Sequence, residues 1–107
     1  MSNEKTFGAG FDDLADTSHL KNITFINRDT DQSFSLENIP GKQASVKILY
    51  SIAQTNHSQI NRSVARTGIA LFGDYAQEEE QQPNSHPNIR FLMNIMTNDE
   101  EWLVNAE

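Results

Sequence analysis

The sequence predicts an α+β fold: a small two-stranded antiparallel hairpin packed against three to four helices. Three observations carry this expectation. Between Lys21 and Glu37, apolar and polar residues alternate in two runs separated by an Asp-rich turn. From Gln43 onward, apolar residues recur at helical spacing. The helical runs are punctuated by start and stop residues, Asn61 before one and Pro87 at the head of another.

Residues 1–10 are polar and glycine-containing, which predicts a flexible N-terminal tail ahead of a single α+β domain over 11–107. Phe11-Asp12-Asp13-Leu14-Ala15-Asp16 fits one helical turn with Phe11 and Leu14 inward. Lys21 to Asn27 reads as a strand with Ile23 and Phe25 on one face. After the turn Arg28–Gln32, Ser33 to Glu37 reads as its partner, with Phe34 and Leu36 on the matching face. Such a hairpin is not stable alone, so a helix must cover its apolar side.

Asn38-Ile39-Pro40-Gly41 ends the second strand. Gln43 to Thr55 then carries Ile48, Leu49, Ile52 and Ala53 as a helical stripe. Asn56–Gln59 is a connection, and Asn61 caps a long helix expected from Arg62 to about Gln81, with Gly68 and Gly73 as places of close approach. Pro87 opens the next helix, with Ile89, Leu92, Met93 and Met96 on one face. Thr97-Asn98-Asp99-Glu100 matches a capping box and predicts a short last helix containing Trp102, Leu103 and Val104.

Charge is unevenly placed. The chain has 15 acids against 8 Lys and Arg, for a net charge of -7. Yet Pro40 to Gly73 contains no acid and holds Lys42, Lys47, Arg62 and Arg66, whereas residues 74–107 hold eight acids against one base, Arg90. The overall balance argues against nucleic-acid binding and against anionic membranes. No apolar run approaches the ~20 residues of a membrane span, and no signal-peptide pattern opens the chain, so a cytoplasmic protein is expected. The absence of cysteine removes disulfides, thiolate nucleophiles and thiolate metal ligands.

Four short motifs resemble the small bacterial proteins grouped as DUF2322. They are Pro40-Gly41-Lys42-Gln43, Ile60-Asn61, Gly68-Ile69-Ala70-Leu71-Phe72 and His86-Pro87-Asn88-Ile89. The resemblance covers roughly residues 11 to 96, with Phe7–Gly10 and the Trp102 segment as departures or additions. It implies a compact bacterial domain and supplies no activity.

The sharpest candidate site is the helix start at Gly41, Lys42 and Gln43. Free N–H groups and the helix dipole there favour anions, with Lys47, Arg62 and Arg66 adding positive field. The plainer account is a turn followed by a solvated lysine, and a full phosphate-loop pattern is missing. His19, His57 and His86 lack ligand spacing, and the clusters Asp12, Asp13, Asp16 and Asp29, Asp31 do not follow a calcium-loop pattern, so no metal and no cofactor is expected. His86 is read as a helix-start residue whose ring can cap or pack, and as an interface candidate; Trp102 is read as either a late core plug or an interface anchor. No catalytic constellation is visible, which predicts that the protein is not an enzyme. The favoured expectation is a binding or regulatory domain acting through protein–protein contacts, either with a protein partner or by weak self-association. The alternative is a binder of phosphate or a small anionic metabolite at Gly41-Lys42-Gln43. Mimicry of nucleic acid fits less well, because the acids are clumped at the ends of elements rather than spaced along one face.

Overall fold

The computed structural model describes residues 5–107. Its order is a short 3-10 turn Phe11–Asp13, strands β1 (Asn22–Asn27) and β2 (Ser33–Glu37), helix α1 (Gln43–Gln54), strand β3 (Gln59–Ile60), helices α2 (Arg62–Phe72), α3 (Asp74–Gln81) and α4 (Pro87–Asn98), and strand β4 (Trp102–Ala106). The α+β class stands, but the sheet has four strands rather than two. They run in the order β2-β1-β4-β3, every neighbouring pair antiparallel.

The expected hairpin forms, with Ile23 facing Leu36 and Phe25 facing Phe34. Phe25, Phe34, Phe91 and Trp102 form a knot of rings, with centroids 4.8 Å apart for Phe25–Phe34 and 4.9 Å for Phe91–Trp102. Ile23, Leu49, Ile60 and Leu92 are buried with them, so one sheet face carries the helices. The other face, with Thr24, Ser35, Leu103 and Asn105, is left uncovered.

The last element corrects the sequence reading. Trp102-Leu103-Val104 is strand rather than helix, with Trp102 and Val104 buried and Leu103 exposed. Thr97 lies inside α4 and starts nothing. The helix ends at Asp99, whose backbone is left-handed (φ 53°, ψ 51°), with the amides of Asp99 and Glu100 both donating to Ile95 O. The Glu100 carboxylate does not reach back to a cap; it accepts from the Trp102 indole at 3.3 Å. Trp102 is 4% exposed. It is a core residue, and the reading of it as an interface anchor does not hold.

The helix expected over Arg62–Gln81 is two helices. Asn61 caps α2 as expected, its side chain accepting from the Val64 amide at 3.0 Å. The break falls at Gly73, with φ 59° and ψ -125°, a region that residues with a Cβ avoid. A Cβ there would also sit 2.5 Å from Thr6 O. The element that approaches is the N-terminal segment. Met1–Glu4 lie outside the described residues, but Lys5–Gly10 are packed rather than free, correcting the tail expected over 1–10. The Gly8 amide donates to Leu71 O at 2.9 Å, Thr6 bonds Asp74 through both its amide and hydroxyl, and Phe7 stacks on Phe11 at 4.1 Å. At Gly68 the close approach is between helices, with Ile52 and Leu92 side chains pressed against the bare backbone.

Candidate functional site

The cavity of most interest is bounded by the starts of α1 and α4. The two helix starts belong to segments far apart in sequence, and the fold places them on one hollow of about 490 Å³. Gly41, Lys42, Ala44 and Ser45 line it from α1, and Ser85 to Ile89 line it from α4. Phe7, Phe72 and Tyr75 supply aromatic walls, and Leu36 closes the side toward the sheet. The volume lies in the range of small-molecule sites, which are mostly apolar with a few placed polar groups.

At α1 the chain turns through Gly41, with φ 91°, and a Cβ there would meet nothing within 4 Å. The glycine is demanded by backbone conformation, not by crowding. Lys42 occupies the cap position without a side-chain cap bond, and the first turn has no acid. Among the described residues, no group accepts from the amides of Gln43, Ala44 or Ser45. Three N–H donors and the positive end of a 12-residue helix are therefore left to solvent or to a ligand.

The start of α4 is built differently. Glu79 sits on α3 with its side chain fully buried, and its carboxylate accepts from the Asn84 amide at 2.7 Å, the His86 amide at 2.6 Å and Arg90 Nε at 2.6 Å. Burial pushes the Glu79 carboxyl up. The three donors outweigh it and hold the group below its ordinary value. His86 does not cap the helix with its ring, as the sequence suggested it can. The ring packs edge-on to Tyr75, and its Nε2 lies 2.5 Å from Glu78 Oε1, while Lys5 pairs with Glu78 Oε2 at 2.6 Å. Hydrogen bonds from Lys5 and then His86 hold the Glu78 carboxyl below its ordinary value.

The sequence-proposed anion residues are not brought together. Gly41 and Lys42 line this cavity. Gln43 and Lys47 line a separate hollow with Phe11, Asp16 and Asn38, where Lys47 Nζ stands 5.7 Å from the Phe11 ring centroid. Arg62 and Arg66 lie elsewhere again, in a more open depression that they share with Asp29, Asp99 and Glu101. Among the described residues, Arg66 does not pair with the acids Glu78–Glu80; Glu78 pairs with Lys5 and His86, and Glu79 with Arg90. Conversely, the fold joins Lys42 to His86, which the sequence had assigned to different roles.

Glu79 was missed as a site-building residue because Glu78–Gln82 looks like a polar helix end. A signal existed: Phe72, Ala76 and Glu79 follow the i, i+4, i+7 spacing of a buried stripe, and all three are buried.

Residues 7–106 match the family model described as an uncharacterized protein conserved in bacteria (DUF2322). The chain belongs to the DUF2322 family. The family match takes in both Phe7–Gly10 and the Trp102 strand, so neither is an addition to the DUF2322 domain. Both cavity-forming helix starts and the Phe7 wall lie within it. No curated protein and no solved structure matches the chain. Among the described residues, no helix is long and apolar enough to cross a membrane.

Proposed function

We propose that this DUF2322 chain is a non-enzymatic binding domain whose ligand is a small molecule with an anionic group and an apolar body. The observation that carries the reading is the cavity where the unfilled start of α1, with Lys42, faces the aromatic walls Phe7, Phe72 and Tyr75. The anionic end fits the free amides of Ala44 and Ser45 and the Lys42 ammonium. The apolar part fits against the rings. The His86 ring is engaged by Glu78, which holds it in the cavity wall.

A thermal-shift panel of phosphorylated and carboxylated metabolites tests the proposal. A true ligand at a hundredfold excess over its Kd stabilises by about 2.7 kcal/mol. Lys42→Ala should reduce that shift while leaving the unliganded melting temperature unchanged. A panel without a shift, or shifts insensitive to Lys42→Ala, defeats this assignment of the site.

A further inference from the structure

We propose that the free edge of β2 is a self-association surface, and that its partner is a second copy of this chain. Among the described residues, β2 has one neighbour, β1. The direction of its backbone groups follows from the ladder. The Asn27 amide donates to Gln32 O and the Asn38 amide to Lys21 O, in step with the register that sets Phe25 opposite Phe34 and Ile23 opposite Leu36. Phe34 and Leu36 therefore spend their N–H and C=O groups on β1. Those of Ser33, Ser35 and Glu37 point outward.

These outward groups complement themselves. An antiparallel pair centred on Ser35 sets Ser35 against Ser35 and Ser33 against Glu37 of the second copy. All three outward N–H groups and all three outward C=O groups on each strand are then satisfied. No like charges fall opposite one another. On the helix side, Phe34 comes to face Leu36 of the other copy, covering a ring that is now half-buried. The edge is lightly guarded: Ser33–Glu37 contains one charge, Glu37 at its end, and no Lys, no Pro and no bulge. At the far edge, β3 is only two residues long, too short to template a partner.

Salt separates this arrangement from charge-steered docking. Each copy carries a net charge of -7, so backbone pairing of two copies is opposed by repulsion and strengthens as salt rises. Docking of a basic face on an acidic one weakens with salt.

The test is sedimentation velocity of the full chain from micromolar to millimolar concentration at low and high salt, alongside Ser35→Pro. Proline removes the central outward N–H and no backbone bond within the monomer; the side-chain bond it removes is the exposed Thr24–Ser35 hydroxyl contact at 3.0 Å. The expected result is a concentration-dependent dimer, favoured by salt and roughly tenfold or more weaker in Ser35→Pro, as loss of the central pair of hydrogen bonds implies. Ser35→Cys gives a second readout that does not depend on the proline variant folding. The chain has no cysteine of its own, so oxidation should yield a covalent dimer from Ser35→Cys and none from Thr67→Cys on the exposed side of α2. A monomer under all conditions with no cross-link overturns the proposal. So does a dimer that survives Ser35→Pro, or one that dissociates as salt rises.

Discussion

The starts of α1 and α4 open onto the same cavity, and they are finished in opposite ways. At the approach to α4 a carboxylate is already in place: Glu79 reaches across from α3 and takes the amides of Asn84 and His86, which lie just ahead of the first turn, with Arg90 balancing its charge. At α1, among the described residues, no carboxylate arrives and the first-turn amides stay open. Both helices have 12 residues, so their dipoles are comparable. The difference is between a segment leading into a helix that is already tied down by a carboxylate, and a helix start whose own amides can still accept one.

The comparison can be broken most forcefully at Glu79. Glu79→Ala leaves two part-buried amides and Arg90 Nε without their acceptor, and should cost about 3 kcal/mol by urea denaturation. Because Glu79 is held below its ordinary value of 4.5, folding favours its ionised form. That contribution is complete above pH 4.5 and is lost as pH falls through the lower, folded value. The stability gap between wild type and Glu79→Gln should therefore be widest near neutral pH and shrink under acid. A gap that grew on acidification would show that Glu79 is not ionised when folded.

Gly73 sets the break between α2 and α3, and so the direction from which Glu79 arrives. Gly73→Ala forces a Cβ against Thr6 and Gly8 backbone in a glycine conformation, and should cost about 2 kcal/mol. Loss of the Lys5–Glu78 contact, seen as faster exchange of the Gly8 amide, should accompany it. The smallest effect is expected at α1. Gln43→Glu places an acid in the unfilled first turn and should stabilise the domain by about 0.3–1 kcal/mol, while weakening any anionic ligand. Stabilisation without a loss of ligand response would separate the helix start from the binding site.

Much of this contrast was beyond the reach of the sequence. β1, β2, α1, the Asn61 cap and the Pro87 start could be read because each is a local pattern: alternation over a few residues, a 3.6-residue stripe, or a cap at its proper offset. β4 could not. Trp102-Leu103-Val104 is too short for its period to decide between helix and strand, and its partner is β1 at the other end of the chain. The Gly73 break was hidden because a helix tolerates an internal glycine; the N-terminal segment packed against it decides the matter. The site suffered in the same way. Gly41 and Lys42 were visible as a helix start, but their neighbours Phe7, Tyr75 and His86 come from three other parts of the chain. The Glu79–Arg90 pair was visible only as excess acid and a lone base.

The place of β4 has a consequence for the order of assembly. β4 is an interior strand, lying between β1 and β3. During synthesis, β1 and β2 leave the ribosome long before their neighbour exists, and the ring knot around Phe25 lacks Trp102 until then. The emerging chain must hold an open strand edge and an incomplete core while four helices are made. Closure of the sheet is therefore a late, long-range event, and a chaperone's opportunity falls in the interval before residues 102–106 appear.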